Sequence, residues 1–330
     1  MKDYQFIQKL ATQKSKAFWK SLVHNAFFVI FPLLFFSIFL TVHIAREFLQ
    51  ARTQNVLVLS LPFSAPLPAQ YPSIGTAVLG ANTASLSALG AVVMDDDSKV
   101  LLFSKNPDLR FSMASTTKIM TALVALEQYN LTDVLTVKNG NVAGTVMGFS
   151  VGQNFSFENL LYAMMLPSAN DAAVAIAQNY KGGQEAFVAR MNEKAQELHL
   201  YKTHFADPAG LEDDGDYTTV VDLARLASEA RKNQTLVSIV ATKQKVITDI
   251  DGVHTYTLTN LNKLLGVDGV NGIKTGFTDE AGGVLVTSKV EQGHTLLLVV
   301  MKSDDRFGDT QKLLSLVSGK TTYNSFIQPN

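Results

Sequence analysis

Residues 111–129 read FSMASTTKIMTALVALEQY, and the apolar spacing in this stretch predicts a helix with one buried side. The residues that form this side are Ile119, Leu123, Val124 and Leu126. Ser115 and Lys118 stand three positions apart at the start of the helix, so the lysine amine can reach the serine hydroxyl. A serine becomes a nucleophile when a neighbouring base takes its proton, and lysine serves as that base when burial or a nearby cation lowers its pKa. A capping serine beside an exposed lysine is the structural alternative, because Ser-x-x-Lys is expected about once by chance in a chain of this composition.

A second motif, Ser168-Ala169-Asn170, follows Pro167 where two helical segments meet. A hydroxyl and an amide two positions apart on a turn can enter the same cleft, one to pass protons and the other to bind a carbonyl group. Turn formation and helix capping explain the tripeptide equally well. Ser104-Lys105-Asn106 repeats the pattern upstream, so Ser-x-Asn alone has little specificity.

A third motif, Lys274-Thr275-Gly276, lies in the segment NGIKTGFT, which predicts a strand. Strand alternation places Lys274 and Gly276 on one face and Thr275 on the other, so a bulge or twist is needed if both polar residues face one site. Glycine lets a bound peptide backbone lie close against a strand edge. A lysine between apolar neighbours in a strand is harder to explain as a solvated charge than one on a helix surface.

The order of the predicted elements favours an α+β domain. A hairpin of two apolar segments, GAVVMD at 90–95 and KVLLFSK at 99–105, precedes the helices. Strand patterns return at KQKVITD, HTYTLT, GIKTG, GGVLVTSKV and HTLLLVVMK, and a last helix is predicted from about Asp305 to Val317. Strands, then helices, then strands and a helix predict a mainly antiparallel sheet that the N- and C-terminal segments complete together.

Composition excludes several other functions. The chain of 330 residues has 28 Lys and Arg against 29 Asp and Glu, a balance without the basic excess that nucleic-acid binding requires. It has no cysteine, and its 6 histidines show no metal-ligand spacing. No glycine-rich phosphate loop is present. We therefore expect no cofactor, no metal and no nucleic-acid partner.

The N-terminal region predicts a membrane anchor. Residues 26–45 contain no Asp, Glu, Lys or Arg, and a helix of this length reaches about 30 Å, the thickness of a bilayer core. Residues 1–25 carry five lysines and one acid, which indicates the cytoplasmic side. A cleaved signal peptide is the rival interpretation. Residues 46–88 are rich in Pro, Ala and Ser and predict a linker, which leaves 89–330 as a single catalytic domain outside the membrane.

Taken in order, the three motifs form the set shared by penicillin-binding proteins and class A β-lactamases. The surrounding segments narrow the resemblance: MASTTKIMTALVALE, LLYAMMLPSANDAAVAIA, FVARMNEKAQEL, THFADPAGL and VNGIKTGFTDEAGGVLVTS. From about Leu89 to Ser318 the chain closely resembles the low-molecular-weight D-alanyl-D-alanine carboxypeptidases of peptidase family S11. The resemblance implies the β-lactamase/DD-peptidase fold, a five-stranded antiparallel sheet between helical layers.

The resemblance also implies a role for each motif residue. Ser115 resembles the nucleophile, Lys118 its base, Ser168 the proton relay and Asn170 the group that binds the substrate amide. The substrate-binding residues implied are Lys274, Thr275, Gly276, Phe277, whose N–H would complete an oxyanion hole with that of Ser115, and Arg306. The implied reaction is removal of the terminal D-Ala from peptidoglycan stem peptides through an acyl-enzyme, and β-lactams would acylate the same serine.

Alternatives remain open at this point. A class A β-lactamase needs a Glu-x-x-x-Asn loop, and the match after Ser168, Glu229 to Asn233, falls within a predicted helix. A DD-endopeptidase acting on peptide crosslinks would use the same residues. A non-catalytic sensor of muropeptides or β-lactams would keep the cleft without turnover.

Overall fold

The computed structural model describes residues 86–212 and 214–320. The predicted anchor at 26–45 and nearly all of the predicted linker lie outside these residues. Within the described part of the chain, no helix is both long enough and apolar enough to cross a membrane.

The helices are α1 (Lys118–Gln128), α2 (Phe157–Met165), α3 (Asn170–Asn179), α4 (Gly183–Glu197), α5 (Val220–Ala230), α6 (Gln234–Val240) and α7 (Arg306–Val317). The strands are β1 (Gly90–Asp95), β2 (Leu101–Lys105), β3 (Phe111–Ser112), β4 (Val134–Thr136), β5 (Asn154–Ser156), β6 (Tyr217–Thr218), β7 (Gln244–Thr248), β8 (Thr255–Thr259), β9 (Val270–Thr278), β10 (Gly282–Glu291) and β11 (His294–Ser303). A single turn of 3-10 helix, Ala114–Thr117, leads directly into α1.

Five strands form the central sheet in the order β2-β1-β11-β10-β9, and every neighbouring pair is antiparallel. This confirms the prediction that N- and C-terminal segments complete one sheet. β9 is an edge strand, which leaves one side of it open toward the 3-10 helix. Three further pairs, β3–β6, β4–β5 and β7–β8, lie outside the central sheet.

Both faces of the sheet are covered by apolar side chains. In β1, Val92 and Met94 belong to a large core cluster with α1 to α6, whereas Ala91 and Val93 belong to a smaller cluster with α7. A sheet buried on both sides needs apolar residues at successive positions, which explains the continuous run HTLLLVVMK in β11. The fold is thus a sheet between two helical layers.

Two local features differ from the expectation. The predicted first helix begins only at Lys118, because Phe111–Ser112 pair as a strand and Ala114–Thr117 form the tighter 3-10 turn. α6 and the short strands β3 to β6 were not predicted at all. The N-cap of α5 is Thr219, whose side chain accepts from the N–H of Asp222 at 3.1 Å.

Candidate active site

Ser115 lies on the 3-10 turn, and Lys118 follows as the first residue of α1. A 3-10 helix has three residues per turn, so side chains at i and i+3 lie directly above one another. The Lys118 Nζ is therefore 2.9 Å from the Ser115 Oγ. Ala114, just before the serine, has a φ of +45°, a strained conformation for a non-glycine residue. This turn is held in place by its surroundings rather than by local preference.

Lys118 is completely buried, and its amine has three oxygen partners. Besides Ser115 Oγ, these are Asn170 Oδ1 at 2.7 Å and the Ala209 carbonyl oxygen at 2.6 Å. The last two oxygens can only accept hydrogen bonds. A neutral Lys118 amine donates its two hydrogens to these two oxygens, which directs its lone pair at Ser115. The Ser115 hydroxyl then donates a hydrogen bond to the amine. The geometry therefore suits proton transfer from serine to lysine.

Burial also supplies the protonation state that this transfer needs. Removal from water lowers the pKa of Lys118 to about 7, although the carboxyls of Asp207, Asp216 and Asp171 act in the opposite direction. A base whose pKa lies near neutrality is both available and effective at neutral pH. The buried Lys118 thus has the lowered pKa that a lysine needs to serve as the base for a serine.

Ser168 and Asn170 meet at the junction of α2 and α3. Ser168 has a φ of +67°, and its buried Oγ has no hydrogen-bond partner among the described residues. Because leaving a buried hydroxyl unpaired costs free energy, this group is suited to bond a ligand. The Asn170 amide nitrogen donates to the Ala143 carbonyl at 2.8 Å, so the amide oxygen is turned toward Lys118.

The β9 motif contributes from the opposite side of the cleft. Lys274 and Gly276 pair with Val286 and Val284, which belong to the large core cluster that contains α1. Thr275 pairs with Leu285 of the smaller cluster. The register is regular at these three positions, so the bulge considered from the sequence does not occur there, and Thr275 lies on the other face of the edge strand.

Gly276 explains how β9 comes so close to the nucleophile. A Cβ atom at this position would lie 3.2 Å from the Ala114 Cβ, from the Met113 carbonyl oxygen and from the Ser115 nitrogen. The absence of a side chain lets the strand pack directly on the serine's own turn. The next residue, Phe277, is 60% exposed, so its side chain lies at the rim of the cleft.

Arg306, the first residue of α7, lies beside the same strand. Its Nη1 donates to the Gly276 carbonyl at 3.4 Å, and its Nε is buried without a hydrogen-bond partner among the described residues. Its guanidinium lies 5.9 Å from the centre of the Phe277 ring. A Cβ atom on Gly283 would be 3.1 Å from the Arg306 Cβ, so the absence of a side chain at Gly283 leaves room for the arginine.

Three basic side chains therefore lie at the cleft: Lys118, Lys274 and Arg306. Burial lowers the pKa of Lys274 well below its usual value, and the charges of the other two lower it further. Burial also lowers the pKa of Arg306. An anionic group bound between them would offset this repulsion, so the cleft favours a substrate with a carboxylate.

Two carboxylates that the sequence reasoning did not name organise the walls of the cleft. Asp171 accepts from the backbone N–H groups of Met147, Gly148 and Phe149. Asp207 accepts from those of Ala209, Gly210, Leu211 and Glu212. An aspartate followed by Pro208 and a glycine is typical of a turn, and this was the available signal.

Potential metal ligands come together elsewhere. Among the described residues, Asp95, Asp97 and His294 bring ligand atoms within 4.8 Å of one another, at β1 and β11 rather than beside Ser115 and β9. The Glu229–Asn233 pair also makes only local helix contacts: Glu229 pairs with Lys232 at 2.6 Å, and Asn233 caps α6. Neither group enters the cleft by any contact found among the described residues.

The fold and the cleft define the class of serine enzymes that transfer acyl groups with a lysine as base. The Peptidase S11 family of D-alanyl-D-alanine carboxypeptidases matches residues 77–305, and the chain belongs to this family. A D-alanyl-D-alanine carboxypeptidase of Streptomyces sp. (strain K15) is 34% identical over 257 residues, 70% of this chain and 87% of that protein. A D-alanyl-D-alanine endopeptidase of Pseudomonas aeruginosa is 34% identical over 258 residues, 76% of this chain and 81% of that protein.

A solved structure supports the same assignment. The crystal structure of the Streptomyces K15 DD-transpeptidase shares 33% sequence identity and a TM-score of 0.67, and the match covers 70% of this chain and 97% of that one. The expectation of a DD-peptidase fold is therefore confirmed for the described part of the chain.

Proposed function

We propose that this protein is a serine-type D-Ala-D-Ala carboxypeptidase that removes the terminal D-alanine from peptidoglycan stem peptides through an acyl-enzyme on Ser115. The observation that carries this proposal is the 2.9 Å contact between Ser115 Oγ and a fully buried Lys118 amine whose pKa is about 7. Membership of the S11 family supports the substrate class.

In the acylation step, the neutral Lys118 amine takes the Ser115 hydroxyl proton while Oγ attacks the carbonyl carbon of the D-Ala–D-Ala bond. The carbonyl oxygen becomes an oxyanion, for which the N–H groups of Ser115 and Phe277 are the proposed donors. The C–N bond then breaks, and the departing D-alanine nitrogen takes a proton that the Ser168 hydroxyl passes on from Lys118. Asn170 binds the amide of the substrate chain, and the product is an ester on Ser115 plus free D-alanine.

Deacylation returns the enzyme to its starting state. Lys118, again neutral, takes a proton from a water molecule, the hydroxide adds to the ester carbonyl, and the Ser115 oxygen leaves as it regains the proton. A β-lactam would follow the first half of this path, with the ring C–N bond in place of the peptide bond. The substrate's terminal carboxylate would be held at the open edge of β9, with Lys274 on one face of the strand, Thr275 on the other and Arg306 beside it.

The experiment combines covalent labelling by a fluorescent penicillin with release of D-alanine from a pentapeptide. We expect both in the wild-type protein and neither in Ser115→Ala. Ser104→Ala is the matched control, because Ser104 belongs to the other Ser-x-Asn sequence and lies on β2, away from the cleft. Labelling that persists in Ser115→Ala would show that the nucleophile is wrongly assigned.

A DD-endopeptidase is the second candidate, and the 34% identical relative of that name supports it. Both reactions form the same acyl-enzyme and differ in the amine that leaves. A crosslinked dimeric muropeptide separates them: cleavage of the dimer with no D-alanine from the pentapeptide would favour the endopeptidase. Labelling without either cleavage would favour a sensor.

We further propose that residues 26–45 anchor the protein in the cell membrane with residues 1–25 in the cytoplasm. The linker 46–88 would then carry the catalytic domain 89–330 on the outer side. The support is the uncharged apolar run and the lysines before it. Protease added to intact spheroplasts should digest the catalytic domain, and retention of the domain in a wash at high pH would indicate the anchor. A domain protected from protease would contradict this orientation.

A further inference from the structure

The loop after α4 contains two buried carboxyl groups, Asp207 and Asp216. Asp207 closes the loop by accepting four backbone hydrogen bonds. The donors are Ala209 at 2.6 Å, Gly210 at 2.8 Å, Leu211 at 2.7 Å and Glu212 at 2.8 Å. Both carboxylate oxygens are used, two bonds each, so the backbone between 207 and 212 has one well-defined path.

This loop provides two carbonyl acceptors for side chains of α1. The Ala209 carbonyl accepts from Lys118 Nζ at 2.6 Å, and the Pro208 carbonyl accepts from Thr121 Oγ1 at 2.6 Å. Gly210 has a φ of +78°, and a Cβ atom there would lie 2.0 Å from the Ala114 carbonyl oxygen. The loop therefore packs on the back of the nucleophile's turn, and the direction of the Lys118 lone pair depends on where this loop places Ala209.

Asp216 lies next to Asp207 at the far end of the loop. Its Oδ1 accepts from the Ala206 N–H at 3.0 Å, and its Oδ2 is buried without a hydrogen-bond partner among the described residues. A buried carboxyl oxygen that has no donor disfavours the charged form, which favours a proton on Asp216. Burial and the neighbouring charge raise the pKa of Asp216 to about 9, whereas hydrogen bonds keep that of Asp207 low. At neutral pH the pair holds one proton and one negative charge.

The charges around Lys118 can be assigned to their elements. The loop presents Asp207 and Asp216, α3 presents Asp171, and β9 presents Lys274. The carboxylates raise the pKa of Lys118 against the effect of burial, while Lys274 is a cation that interacts with it unfavourably. Asp171 is fixed by four backbone donors of its own, so the loop pair is a separate source of negative charge.

We propose that Asp207 and Asp216 are positioning residues for Lys118: two buried carboxyls, one ionised and one protonated, that hold the Ala209 carbonyl on the amine and present a single negative charge to it. This inference rests on the proposed function, since it concerns the base of that reaction. Asp207 acts through the loop, and the proton on Asp216 prevents a second buried charge from driving the two carboxyls apart.

The test is the pH dependence of the acylation rate with a fluorescent penicillin. Asp207→Asn removes the charge and the acceptor for two of the four N–H groups, so we expect acylation to slow by about 100-fold. The midpoint of the rise in acylation rate with pH (the acid-limb midpoint) should move to lower pH by about one unit. The reason is that the protonated form of Lys118 loses a stabilising negative charge. Asp216→Asn resembles the protonated carboxyl, and its acid-limb midpoint should stay within about 0.3 units of wild type. A purely structural role would change the rate without moving the midpoint.

Asp309→Asn is the matched control, because Asp309 is another buried carboxylate with backbone donors, outside the cleft. It should lower the melting temperature and leave the midpoint in place. An unchanged midpoint in Asp207→Asn, or an equal shift in Asp216→Asn, would overturn the proposal.

Infrared difference spectra of wild type against Asp216→Asn at pH 7 supply a second measurement. It requires neither enzymatic activity nor a folded Asp207 variant. A protonated-carboxyl band in wild type supports the proton on Asp216, and its absence refutes it. If wild type itself is not labelled, the proposed function fails while the infrared result still decides the pair.

Discussion

Gly276 and Ser115 belong to different elements, yet a Cβ atom on the glycine would lie only 3.2 Å from the serine nitrogen. The edge of the sheet and the nucleophile's turn are thus in direct backbone contact. The proposed oxyanion hole depends on this contact, since it needs an N–H from each of the two elements.

Replacing Gly276 with alanine should separate them by a few tenths of an ångström. We expect penicillin acylation to fall by about 10- to 100-fold, because the oxyanion donors move apart, while the melting temperature changes little. Gly140→Ala is the control, as its Cβ would meet its nearest neighbour at an ordinary 3.4 Å. Equal acylation rates in the two variants would show that the close contact has no catalytic importance.

The acylation rate should rise with pH, with a midpoint near the Lys118 pKa of about 7. The sign follows from the chemistry: only the neutral amine can take the serine proton, so the reactive fraction grows as pH increases through the pKa. Stopped-flow fluorescence with a penicillin between pH 5 and pH 8 measures this limb. A rate that is flat across the range would argue against Lys118 as the base.

Asp216→Asn should stabilise the protein increasingly as pH rises. The native pKa of Asp216 is about 9 against an ordinary value of 3.8, so the native state binds a proton that the unfolded state has released. The stability of wild type therefore declines from about pH 4 to pH 9, and the asparagine variant avoids this loss. Melting temperatures of both proteins at several pH values provide the comparison. A constant difference would mean that Asp216 is ionised in the native state.

Asp309 gives the opposite pH dependence. Its carboxylate accepts from Ser87 Oγ at 2.6 Å, from the Ala88 N–H at 2.7 Å and from Ser303 Oγ at 2.7 Å, and such bonds lower its pKa to about 2. The stability it supplies is present above about pH 4 and is lost as pH falls toward 2. Asp309→Asn should lower the melting temperature by several degrees at neutral pH and by less in acid. A loss of the same size at both pH values would contradict this account.

Much of the architecture could be predicted because its signals are local and periodic. Runs of successive apolar residues in GAVVMD and HTLLLVVMK identified β1 and β11, and the apolar spacing after Lys118 identified α1. Lys118 contacts both Ser115 and Asn170, Ser168 lies two residues before Asn170, and the catalytic roles of all four residues stay predictions. These residues are recognisable because their spacing reflects direct chemical contact.

The remaining features depend on contacts between distant parts of the chain. No local pattern could show that Ala209 supplies a carbonyl to Lys118, or that Asp216 needs a proton because Asp207 lies beside it. The 3-10 turn was missed because helix periodicity does not distinguish three residues per turn from 3.6 over a single turn. Nor could a local pattern show that Gly283 makes room for Arg306, which lies more than 20 residues further along the chain.

The hydrogen bonds from Ser87 and Ala88 to Asp309 also have a mechanical consequence. Asp309 lies one helical turn after Arg306 on α7, so the start of the described chain is fastened close to an arginine that borders the cleft. A pull on the polypeptide ahead of this point would load Asp309, and through it α7 and β11, together with the Lys105 side chain that donates to the Leu86 carbonyl at 3.1 Å.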